Sequence, residues 1–126
     1  MKVKKEVIKM SKINIKVILK NNENEIINNY KAIKNDNKII YTEKEFKVTL
    51  YLEEIVKLKR ENDECQMMFE FIPNKKTKIK IFLDNKLMEL DILTDYVVKL
   101  ENLIKIKYKV IETNEDVLYE LEVYDE

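Results

Sequence analysis

Apolar and polar residues alternate along most of this chain in short runs, and clusters of Asn, Asp and Glu interrupt the runs at regular intervals. In Lys12–Lys20, the residues Ile13, Ile15, Val17 and Leu19 fall on one face and Lys12, Asn14, Lys16 and Lys20 on the other, with Ile18 the exception. A period of two marks a half-buried strand, because successive side chains point to opposite faces of a sheet. Asn21-Asn22-Glu23-Asn24 then predicts a turn, Glu25–Ile33 a returning strand, Asn35-Asp36-Asn37 a second turn and Lys38–Glu43 a third strand. Phe46, Val48, Leu50 and Leu52 alternate with Lys47, Thr49 and Tyr51; Glu53-Glu54 turns the chain into Ile55–Arg60, and Asn62-Asp63 turns it into Cys65–Ile72. Pro73-Asn74-Lys75 is the clearest stop, since Pro cannot donate to a ladder and Asn tolerates turn geometry. Beyond it, Ile79, Ile81 and Leu83, then Met88, Leu90 and Ile92, Ile104 to Val110, and Val117 to Val123 repeat the pattern, with turns at Asp84-Asn85-Lys86 and Asn114-Glu115-Asp116.

Two stretches also fit a helix. Val48, Tyr51, Leu52 and Ile55, and likewise Leu93, Tyr96, Val97 and Leu100, sit at i, i+3, i+4 and i+7, with Thr94 or Asp95 a candidate cap for the second. β-Branched content and the alternating neighbours favour strand for both. No linker or repeat divides the chain, so residues 1–126 are read as one all-β domain. It is an antiparallel up-and-down meander of about eight to ten strands, which hides its edges most simply by closing into a barrel. A two-sheet sandwich is the alternative, because alternation cannot distinguish a curled sheet from two stacked ones.

Composition narrows the chemistry. The chain has no glycine, so the left-handed turn positions that usually take it fall to Asn and Asp, the next residues able to adopt positive φ. Walker-type phosphate loops and dinucleotide fingerprints, which need bare backbone close to phosphate, are thereby excluded. Histidine is absent as well, which removes an imidazole base, a His triad and the ordinary zinc site. Lys plus Arg and Asp plus Glu both number 24, leaving no net field to attract nucleic acid or an anionic membrane. Cys65, the one cysteine, fits a reducing, cytoplasmic setting and reads as a small strand residue rather than a nucleophile. The basic start, Met1 to Lys9, has no apolar stretch of signal-peptide length behind it, and no segment is apolar enough to span a membrane.

The acidic pairs Glu53-Glu54, Asp63-Glu64, Glu115-Asp116 and Asp125-Glu126 fall at turns or at the chain end, and read as solvated rather than catalytic. Asn21–Glu25 and Asn35–Asn37 match a calcium loop only loosely, so no metal and no cofactor are expected. Lys75, Lys76, Lys78 and Lys80, and separately Lys105, Lys107 and Lys109, form basic stripes that suit single-stranded RNA if aromatics flank them. They equally suit the wet outside of a barrel, with Glu120 and Glu122 pairing across from the second stripe. Tyr41, Met67 and Phe69 belong to the apolar face and either fill the interior or line a pocket. On the register that turns Val56 and Leu58 inward, Arg60 shares their face at the strand's end. There its planar fork pairs with an acid, receives a ligand's carboxylate or snorkels at the barrel mouth.

The run Ile39-Ile40-Tyr41-Thr42-Glu43, then Val56-Lys57-Leu58-Lys59-Arg60, Met67-Met68-Phe69-Glu70-Phe71 and the hairpins up to Ile106-Lys107-Tyr108, resembles the YwiB-like family of small bacterial proteins of unknown function. The resemblance implies a calycin-type barrel, similar in build to lipocalins and fatty-acid-binding proteins, with no established ligand. The expectation is therefore a non-enzymatic cytoplasmic barrel that takes a small apolar or amphipathic molecule, with Tyr41, Arg60, Met67 and Phe69 lining its site. The alternative is a protein- or RNA-interaction module that uses its outer Lys faces around a filled interior, nucleic acid being the less favoured partner.

Overall fold

Ten strands follow one another in chain order, each antiparallel to the last, and the final strand returns to the first. The computed structural model describes residues 10–125, and the strands, turns and contacts are those of these residues. The strands are β1 (Met10–Lys20), β2 (Glu25–Asn35), β3 (Lys38–Glu43), β4 (Phe46–Leu52), β5 (Val56–Glu61), β6 (Cys65–Phe71), β7 (Lys76–Leu83), β8 (Lys86–Lys99), β9 (Leu103–Val110) and β10 (Glu115–Asp125). Closure rests on β1, where Ile15 lies opposite Tyr30 of β2 on one side and Val123 of β10 on the other. The result is a closed barrel, not a sandwich. The basic start, Met1 to Lys9, lies outside the described residues, as does Glu126. None of the described segments is a helix long and apolar enough to cross a membrane.

The interior is packed by the inward-facing row of each strand. Ile15, Leu50, Ile92, Ile106 and Leu121 are wholly buried, and Ile13, Val17, Ile39, Val48, Val56 and Ile79 join them. Each such side chain contributes about 1.5–3 kcal/mol by leaving water. The outward rows carry Lys and Glu, as in β9, where Ile104, Ile106, Tyr108 and Val110 are buried and the intervening Lys105, Lys107 and Lys109 are not.

The turns do without glycine. Asp36, Lys44, Asn74, Asp84, Asn85 and Asn114 all adopt positive φ, between 45° and 62°. At the β7–β8 turn both central residues, Asp84 and Asn85, do so, the signature of a type I′ hairpin whose twist matches its strands. Asn21 and Asn62 act differently. The Asn21 side-chain oxygen accepts the N–H groups of Glu23 and Asn24 at 3.0 and 2.7 Å, and that of Asn62 accepts Glu64 and Cys65 at 2.9 and 2.8 Å. The loose calcium-loop match at Asn21 is thus an Asx turn satisfying backbone donors. Among the described residues, Lys44, at φ 55°, is the one positive-φ residue with neither a short polar side chain nor a missing Cβ to ease it. Left-handed backbone costs such a residue roughly 1–2 kcal/mol, and glycine's extra unfolded-state entropy offsets about half of that. Lys44→Gly is therefore expected to stabilise the barrel by about 0.5–1 kcal/mol. A urea-denaturation midpoint that is unchanged or lowered refutes it.

β8 explains the second helix-like pattern. Ile92 and Thr94 point inward, opposite Val110 and Tyr108, but the pairing with β9 shifts between Thr94 and Tyr96, and Val97 next faces Ile106. The extra residue of this bulge moves the inward row from even to odd positions. Apolar residues on both sides of the shift then mimic a spacing of three and four, although the segment is one continuous strand. Elsewhere the expected boundaries move slightly: β2 runs on to Asn35 because Lys34 and Asn35 pair with Ile39 and Lys38, which leaves Asp36-Asn37 as a two-residue turn.

Candidate functional site

Arg60 continues the inward row of β5, two residues beyond the buried Leu58. Its Nη2 donates to Glu43 Oε1 at 3.1 Å, and its guanidinium lies over the Phe46 ring, 4.3 Å from the centroid. The three groups meet because the β3–β4 hairpin sets Glu43 opposite Phe46, while Val48, two residues on, is the partner of Arg60. The Arg60 and Glu43 side chains keep 35% and 31% of their surface exposed, so the pair sits at the barrel mouth and water screens it. The Phe46 ring adds a cation–π contact. Arg60 Nε, by contrast, is out of water and has no acceptor among the described residues. A buried donor left unpaired costs about 1–3 kcal/mol.

Beneath this pair is a cavity of about 100 Å³, lined by Tyr41, Glu43, Arg60, Phe69, Tyr108 and Tyr119 with aliphatic neighbours. The hydroxyls of Tyr41 and Tyr119, residues far apart in the chain, are 2.9 Å apart and buried. Either can donate, but two hydroxyls sharing one hydrogen bond leave one proton over. Burial raises the pKa of Tyr41, Tyr108 and Tyr119 far above 10.0, the Tyr119 hydroxyl partly offsetting this for Tyr41. All three stay neutral donors under ordinary conditions. Phe71 packs against Phe69 and Tyr108, at centroid distances of 5.9 and 5.2 Å, and closes the wall. The polar lining is therefore mostly donors in an apolar setting, with Glu43 already engaged.

Of the residues expected to line a ligand site, Tyr41, Arg60 and Phe69 meet at this cavity. Met67 does not: it is the cross-strand partner of Arg60 and packs against the core, but it is not on the cavity wall. Sequence reasoning missed Glu43 and Tyr119 as partners of Arg60 and Tyr41. Both lie on inward rows, but nothing in the spacing shows which rows converge. Cys65 is a half-buried thiol at the start of β6.

The outer Lys stripe of β9 is matched by acids on its neighbours: Lys105 meets Glu120 at 3.4 Å, Lys107 meets Asp95 at 3.9 Å and Lys109 meets Asp116 at 3.9 Å. A wider hollow of about 350 Å³ lies by these last pairs at the β8 bulge, but half of its lining is polar and it opens on the outer surface. The smaller, apolar, inward cavity is the candidate site. Glu53, Glu54, Asp63 and Glu64 are exposed in turns, as their positions suggested.

The crystal structure of the ywiB protein from Bacillus subtilis is similar to this fold, with a TM-score of 0.58 over 91% of this chain and 91% of that one, at 16% sequence identity. At that identity the likeness is one of fold. No protein-family model and no curated protein sequence matches this chain.

Proposed function

We propose that this chain is a calycin-type barrel that binds a short apolar acid, its hydrocarbon body in the cavity beside Tyr41, Phe69 and Tyr119 and its carboxylate on Arg60. The observation that carries this reading is Arg60 Nε, a donor withheld from water beside an apolar cavity and without an acceptor. The unshared proton of the Tyr41–Tyr119 pair adds to it, because a surplus of donors asks for a ligand that brings oxygen acceptors. Size limits the ligand. Cavities of about 150 Å³ hold benzene and drug-sized pockets begin near 300 Å³, so about 100 Å³ suits a chain of roughly four carbons.

In this reading the barrel holds its ligand without transforming it. The chain has no histidine, the cavity tyrosines keep their protons and Glu43 is tied to Arg60, so no base stands ready near neutral pH. The cytoplasm, where the lone Cys65 stays a thiol, is the setting that fits. Titration with butyrate, followed by amide and aromatic NMR shifts, is expected to perturb Tyr41, Phe69 and Tyr119 in a saturable way. Arg60→Met is expected to weaken that binding about tenfold or more, the loss of a charge-assisted contact. Absence of any saturable shift in the cavity ends the reading; equal affinity in Arg60→Met removes Arg60 from it.

A further inference from the structure

The barrel is closed, yet some of its strands overhang their neighbours: β2 over Glu25–Lys31, which β3 does not reach, and β8 at its start. β9 pairs with β8 only from Ile92 onward, so Lys86–Asp91 has β7 on one side and, among the described residues, no strand on the other. At the base of this free edge the Asp91 N–H donates to both Glu112 carboxylate oxygens, at 2.9 and 3.0 Å, and the Asp91 carbonyl accepts from Ile111 N–H. Backbone groups alternate in direction along a strand, so the N–H and C=O of Leu87 and Glu89 point the same open way as those of Asp91. The hairpin is apolar on both faces there: Phe82 and Leu87 are 46% and 49% exposed on one, Leu83 and Met88 41% and 52% on the other. A long apolar edge is the feature that natural sheets cover or blunt.

We infer that the Lys86–Leu90 edge docks an extended segment of a partner protein as an added antiparallel strand. The row of β8 that the segment would meet defines its chemistry. Opposite Glu89 a Lys or Arg is favoured, opposite Leu90, Met88 and Leu87 apolar residues, and opposite Lys86 an acid, since directly opposed pairs set sheet specificity. A second copy of this chain docking through this same edge fits poorly. Antiparallel pairing opposes residues whose backbone groups face each other, so two copies would set Leu87 and Glu89 against one another or against themselves. In none of these registers does Glu89 meet a cation, because Lys86 lies on the other face. The segment therefore reads, from its N-terminus, as apolar, basic, apolar, apolar, acidic.

The test uses a peptide with the core Val-Lys-Val-Leu-Glu, and a charge-exchanged control with the core Val-Glu-Val-Leu-Lys. Binding of the first is expected to protect the Leu87 and Glu89 amides from hydrogen exchange and to exceed that of the control about tenfold. Leu87→Pro removes an N–H that faces the open side, where proline is tolerated, and is expected to abolish the protection. The double variant Glu89→Lys, Lys86→Glu is expected to reverse the peptide preference, which tests the idea even if the proline variant does not fold. Equal binding of both peptides, no protection of the edge amides, or a concentration-dependent dimer protecting the same amides would each overturn the inference.

Discussion

Raising the pH from 9 to 11 is expected to cost the barrel about 4 kcal/mol of stability, more than any single surface change. Tyr41, Tyr108 and Tyr119 are buried, and burial raises each pKa far above the usual 10.0 because the phenolate would lose its hydration. The sign follows from linkage. A group whose folded pKa is raised contributes its full stability below the unfolded pKa, near 10, and loses it as pH climbs toward the folded value, since the unfolded chain releases its protons first. Each such tyrosine contributes about 1.4 kcal/mol per pH unit above that point, and three act together. Urea unfolding at pH 9, 10 and 11 measures the slope. Tyr108→Phe, which removes only the ionisable hydroxyl, should reduce it by about a third. A flat profile to pH 11 would show that these hydroxyls reach water in the folded state.

Ile106→Ala is expected to destabilise the fold by about 3–4 kcal/mol, the upper part of the range for truncating a buried aliphatic side chain. Ile106 is wholly buried on β9, opposite Tyr119 on one side and Val97 on the other. Its neighbours belong to closed ladders on both sides and cannot collapse into the space, so the cavity term is added to the transfer term. Denaturant midpoints at constant m-value check this; a loss below about 1.5 kcal/mol would mean that the barrel wall relaxes to fill the gap. With stabilities of ordinary domains at about 5–15 kcal/mol, the same substitution would leave little in reserve at pH 11.

The candidate site was partly legible in the chain. Arg60 was placed inward because Val56 and Leu58 share its row, and a period of two leaves no other face for it. That Glu43 would answer it followed from nothing local. The two residues are 17 apart and joined through an intervening strand, so their meeting depends on register across two hairpins. Tyr41 and Tyr119 are 78 apart, and their hydrogen bond exists only because the sheet closes and curves. Met67 shows the opposite limit: it occupies the predicted face, but strand position along the barrel axis decides who lines a cavity, and alternation carries no information on that axis.

By itself the sequence determined the strands, their inward faces and most of their turns, because side-chain alternation and the backbone freedom of Asn and Asp are local properties. The bulge at Thr94–Tyr96 escaped it, since an extra residue shifts the period and imitates a helix. The sequence favoured closure over a sandwich, and the structure bears this out; the tertiary structure alone decided that the interior is nearly filled around a cavity of about 100 Å³ and that β8 overhangs β9. Each depends on the stagger between strands distant in sequence. Stagger is set by how whole rows of side chains pack across the barrel, not by any residue with its neighbours.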